Sequence, residues 1–169
     1  MIQTTREERR WFVKNLAQGL VDYMGATEPP VPVEEMLTHP PILYQRDFGV
    51  VEMFSSLWDA TFARPLSNNG NVFVHTNLDS AHRRFALARE TLSALITSSH
   101  GREMGLADLL ISDLRECSEQ FARTLVAPDD MVAAYRAQGG DAEDFAEEFD
   151  IPTEVAAKRW EDPIPEIDT

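Results

Sequence analysis

Cys117 is the single cysteine in 169 residues, so no internal disulfide can form and stability has to come from an apolar core. Long apolar runs are missing too. None approaches the roughly 18 residues a helix needs to cross a bilayer, and the N-terminal MIQTTREERRW lacks the apolar centre of a secretory leader. These absences predict a cytoplasmic protein without membrane contact. Positive charge is scarce: 15 Lys plus Arg stand against 29 Asp plus Glu, a formal net charge of -14. That balance disfavours attraction to phosphate backbones or anionic lipid, and no direct nucleic-acid binding is expected. Glycine-rich phosphate loops, Gly-x-Ser-x-Gly elbows and Cys-x-x-Cys pairs are absent, which leaves motif-based phosphate or thiol chemistry without support.

What is present fits one domain, residues 1–160, followed by a flexible acidic tail, 161–169. From Gly140 onward 11 acidic residues face only Lys158 and Arg159, a solvated acidic face or a surface for a basic partner. Thr5-Arg6-Glu7-Glu8 reads as a capping box opening a helix whose stripe, Phe12, Leu16 and Leu20, runs to Met24 before Gly25. Glu28-Pro29-Pro30-Val31-Pro32 must be extended, because consecutive prolines fix φ and exclude the helical region for their predecessors. A short helix at Val33 to Leu37 ends before His39-Pro40-Pro41. Ile42 to Phe48 and Asn71 to Asn77 predict strands, and Val50 to Phe62 fits either strand or short helix.

The stretch Ser80 to Ser99 predicts the central helix, capped by Asp79 or Ser80, with Phe85, Ala88, Leu92, Leu95 and Ile96 at helical spacing. A second long helix is expected from Met104 to Val126, with Cys117 on its apolar stripe. Pro128 ends it, and Asp129 or Asp130 can cap the next. Two short helices, Asp141 to Phe149 and Glu154 to Trp160, complete the chain. Trp11, Trp58 and Trp160 read as packing residues. The four histidines, His39, His75, His82 and His100, share no ligand spacing.

The order of parts, PPVPVEE, NVFVHTN, RRFALARETLSA, ECSEQFARTLVAP and AEDFAEEFDIPTEVAAKRW, resembles the ImmA/IrrE family of zinc metallopeptidase-like domains, from about Leu16 to Trp160. The resemblance implies an α+β, zincin-like minimal domain: a small, mostly antiparallel sheet packed on a central helix, with additional C-terminal helices. It places the first zinc histidine on Arg89, the general-base glutamate on Glu90, the second histidine on Ser93 and the third ligand on Cys117, beside Glu116. A guanidinium has no lone pair to give a metal, a serine is a poor zinc ligand, and Glu90 without an ion has no activated water. No cofactor is expected, although the family implies zinc; Arg89, Glu90 and Ser93 read as vestigial, and the Arg89, Ser93 and Thr97 face as filling the old cleft, with Arg89 paired to Glu116 or another acid. The resemblance implies a pseudo-peptidase acting as a protein-binding or regulatory module, with a protein such as a helix-turn-helix regulator as partner. Two rivals stand beside it: an active metallopeptidase drawing ligands from Glu90, Glu116, Cys117 or His100, and an assembly component of a mobile element.

Overall fold

A computed structural model describes residues 4–55, 57–65 and 69–165 of the chain. Helix α1 (Arg6–Met24) opens on the capping box: the Glu8 amide donates to Thr5 Oγ1 at 3.1 Å, and the Thr5 amide to the Glu8 carboxylate at 2.7 Å. Gly25, at φ +66°, supplies the left-handed residue that stops the helix. Helix α2 (Val33–Thr38) follows the proline segment. Strands β1 (Val50–Met53), β2 (Ala60–Ala63) and β3 (Asn71–His75) form a three-stranded sheet in the order β1-β3-β2. β3 is the anticipated strand; the ambiguous stretch before it yields the other two.

The chain is α+β, with a mixed sheet rather than a mostly antiparallel one: β2 runs antiparallel to β3 and β1 parallel to it. Ile42 to Phe48 is not a strand. Ile42–Tyr44 is a 3-10 turn, held by the Tyr44 amide on the Pro41 carbonyl and by stacking of Tyr44 on Phe48 at 5.0 Å between ring centroids. It leaves Ile42 83% and Leu43 60% exposed, so the apolar residues that suggested a strand have no sheet neighbour.

Helix α3 (Ser80–Thr97) takes its cap from Asp79, whose carboxylate accepts the His82 amide at 2.9 Å. A short helix, α4 (Ser99–Glu103), follows α3, and the stretch expected as one long helix, Met104 to Val126, is α5 (Leu106–Leu110), a 3-10 turn over Ile111–Asp113 and α6 (Leu114–Val126). Gly105, at φ +67°, separates α4 from α5. Helices α7 (Asp129–Ala137), α8 (Phe145–Phe149) and α9 (Thr153–Glu161) complete the fold. Pro128, not Asp129 or Asp130, occupies the cap position of α7, and Asp129 instead accepts from Arg159 at 2.6 Å.

α6 lies between α1 and α3, and its Cys117, Phe121 and Leu125 are buried with Val13 and Ala17 of α1 and Ala88, Leu92 and Leu95 of α3. The arginines of RRFALA tie this core to its surroundings. Arg83 bridges Glu34 and Glu52, and Arg84 donates to the Val31 carbonyl at 3.1 Å and pairs with Asp150. At the C-terminus Asp162 pairs with Arg123 at 2.8 Å, Lys14 donates to the Pro163 carbonyl, and Ile164 packs on the core; residues 166–169 of the acidic segment lie outside the described residues. Trp160 packs in an aromatic cluster with Tyr135 and Phe145, whereas Trp11 and Trp58 are 67% and 59% exposed and are not core residues. No helix among the described residues is long and apolar enough to cross a membrane.

Candidate functional site

The candidate site is built where β2 runs beside α3. In an antiparallel ladder alternate residues face the partner strand. The Asp59 carbonyl accepts the His75 amide at 2.8 Å, and Ala60 and Phe62 sit opposite Val74 and Val72. The N–H groups of Ala60 and Phe62 therefore face the open edge of the sheet. Both are taken by carboxylates: Asp59 Oδ1 accepts from Ala60 at 2.7 Å, and Glu90 Oε2 accepts from Phe62 at 3.1 Å.

Arg89 joins the two acids, with Nη2 2.7 Å from Asp59 and Nε 3.4 Å from Glu90 Oε1. Arg89 thus helps hold the Glu90 carboxylate against the strand. Both outward amides have acceptors within the chain, which removes the unpaired donors that invite another strand to add to an edge. Burial pushes the Glu90 carboxyl above the usual carboxylate range, against the opposing pull of Arg89 and the Phe62 amide. Burial opposes the charge of Arg89, but the hydrogen bonds and negative charges of Asp59 and Glu90 together outweigh it and raise the guanidinium pKa.

The remaining predicted residues do not gather around this pair. Glu116, the acid expected to pair with Arg89, accepts three hydrogen bonds from Arg6 at 2.8 to 3.1 Å and lies 3.6 Å from Arg10, so it faces α1. Asp59 is the acid that Arg89 takes instead. Cys117 is buried in the core, where burial raises its thiol pKa and favours the neutral form. The partly buried Ser93 offers its carbonyl to Thr97 Oγ1 at 3.0 Å, and Thr97 in turn accepts from Arg64 Nη2 at 3.4 Å. Arg89 and Thr97 of this face thus reach Asp59 and Arg64, at the two ends of the β2 stretch. His100 packs edge-on against Tyr44 at the other end of α3, remote from Glu90 in sequence and partners.

These side chains do not fit a zinc ion. Arg89 brings a positive charge and no lone pair, Cys117 is held as a thiol, and Glu116 is neutralised by α1. Among the described residues, no group of three or more His, Cys, Asp and Glu side chains is arranged to hold a metal. The cavity beside Arg89 is small, about 180 Å³, and is walled by Asp59, His82, Glu119, Arg123, Glu154 and Lys158. Ligand pockets run to roughly 300 Å³ and above, so this one has room for ordered water or one side chain.

Sequence reasoning missed Asp59. The signal for it is weak, because its partner lies 30 residues away and nothing local distinguishes it from any acid at a strand start.

The fold, a small mixed sheet against a central helix, is that of a minimal zincin-like domain. The sequence signature of the M78 peptidase family, described as the IrrE N-terminal-like domain, matches residues 47–161, more than half of the chain. The chain belongs to that family. No curated protein matches it. Among solved structures it is similar to a Mycobacterium tuberculosis transcriptional regulator, at 14% identity and a TM-score of 0.63, over 90% of this chain and 51% of that one. The likeness is one of fold, and this chain spans about half the length of that regulator.

Proposed function

We propose that this chain is a non-catalytic member of the IrrE-like family, a pseudo-peptidase that serves as a cytoplasmic protein-binding or regulatory module. One observation carries the reading: Arg89, which the family resemblance sets at the first zinc position, is committed to Asp59 and Glu90. A hydrolytic mechanism of this class needs a metal-bound water and a base free to take its proton. Here the base accepts a backbone amide at 3.1 Å instead. The net charge of -14 favours a protein partner over nucleic acid, and a helix-turn-helix regulator is the partner class the family suggests.

Metal analysis of protein purified without chelator tests the catalytic half of the proposal, with less than a tenth of an equivalent of zinc expected. Stoichiometric zinc, together with chelator-sensitive cleavage of a co-encoded repressor, would establish the peptidase reading in its place. Co-purification of an intact regulator at fixed stoichiometry tests the binding half, and a monomer indifferent to every co-encoded regulator would count against it.

A further inference from the structure

At the end of α3 away from Arg89 lies a large cavity, about 1060 Å³, open to solvent and separate from the small cavity beside Arg89. Its walls carry Arg46, Arg64 and Arg102, with His100, against the carboxylates of Asp47 and Glu103. The wall is therefore net positive in a chain whose formal total is -14. Acids outnumber bases almost two to one here, and among the described residues nearly every Lys and Arg is taken by a carboxylate. Arg136 lies instead over the Trp160 ring and donates to its carbonyl. The two arginines with neither an ion-pair nor a hydrogen-bond acceptor among the described residues are Arg46 and Arg102, and both line this one cavity.

Arg64 gives the wall a fixed point. It pairs with buried Asp47 at 2.7 Å, donates to the Arg46 carbonyl at 3.3 Å and lies over the Phe62 ring at 5.5 Å. Its Nε is buried and without an acceptor among the described residues. Ile42 and Leu43, left exposed by the 3-10 turn, line the same cavity and also the adjoining apolar groove with Leu16, Leu20 and Tyr23.

From this juxtaposition we infer that the cavity binds a small phosphate-bearing molecule with an apolar or planar body, the anion on Arg46 and Arg102 and the body against Ile42 and Leu43. Paired guanidinium groups match a phosphate with two parallel hydrogen bonds each, and field lines converge in a cationic cleft on an otherwise acidic protein. The cavity has room for a molecule of nucleotide size as well as for a bare ion.

Calorimetric titration of the full chain with adenosine monophosphate, inorganic phosphate and adenosine tests this. One equivalent of the monophosphate should bind, more tightly than inorganic phosphate, and adenosine alone should not register. Arg46→Gln/Arg102→Gln removes two exposed charges whose side chains have no hydrogen-bond or ion-pair partner among the described residues, so its melting temperature should match the parent's while monophosphate affinity falls about ten-fold or more. No heat from the monophosphate up to about 5 mM, unchanged affinity in the double variant, or tighter binding of hexaglutamate than of the monophosphate would each overturn the inference.

Discussion

Replacing Arg89 with alanine isolates the contact on which the candidate site turns. The pair to Asp59 is partly solvent-exposed on both sides and is worth about 0.5 kcal/mol. The side chain of Glu90 is only 17% exposed, and after the substitution its charge keeps the Phe62 amide but no cation. Stranding a carboxylate in a half-buried setting costs less than the roughly 3–5 kcal/mol of a fully buried broken pair, so about 1.5 kcal/mol is reasonable. Arg89→Ala should therefore lose about 2 kcal/mol near pH 7.5.

The loss should depend on pH with a definite sign. A carboxyl whose folded pKa is raised binds more protons folded than unfolded between its ordinary and its raised value. Stability then falls as pH rises through that window. Burial already raises Glu90, and loss of Arg89 raises it further, so the deficit should shrink near pH 5. In Arg89→Ala/Glu90→Gln the amide oxygen still accepts the Phe62 N–H without a charge, and about 1 kcal/mol should return. Urea unfolding followed by tryptophan fluorescence at both pH values measures all four states of the cycle. A deficit equal at both pH values, and unrelieved by Glu90→Gln, would refute the view that Arg89 exists to neutralise Glu90.

Arg89→His/Ser93→His should place two imidazoles at i and i+4 on one face of α3; zinc-dependent elevation of the melting temperature is the readout, and indifference to zinc would show that the surrounding frame does not support the ion. Arg159, whose side chain is wholly buried, donates to the Ala127 carbonyl and to Asp129, so Arg159→Ala should cost about 3 kcal/mol in urea unfolding, while Lys158→Ala on the same helix changes stability by less than about 0.5 kcal/mol. His82 is raised from its ordinary value chiefly by its hydrogen bond to Asp79, with Glu154 3.6 Å from the other ring nitrogen. Its contribution to joining α3 and α9 is fully present below the ordinary histidine pKa and is lost as pH rises through the raised one. An NMR titration of the ring should show a midpoint above that of a free histidine, moving back in Asp79→Asn.

Wherever its local signals were strong, the sequence alone determined the elements. Thr5 with Glu8, Gly25, the proline segment and the 3.6-residue stripes fixed α1, α2 and α3, and NVFVHTN fixed β3, because caps and periodicity act within a few residues. The chemical poverty of Arg89 and Ser93 as metal ligands was legible too, since it follows from side-chain identity. The tertiary structure decided the rest. Exposed Ile42 and Leu43 read as a strand until packing shows that no strand lies beside them, and β1 pairs parallel to β3 although nothing local favours either direction. Asp59 and Glu116 are alike as isolated acids; only the chain path carries one to Arg89 and the other to Arg6. Arg46 and Arg102, far apart in sequence, become one cationic wall by the same means. Contacts across tens of residues depend on which surfaces the core brings together, and a single sequence carries no local mark of that choice.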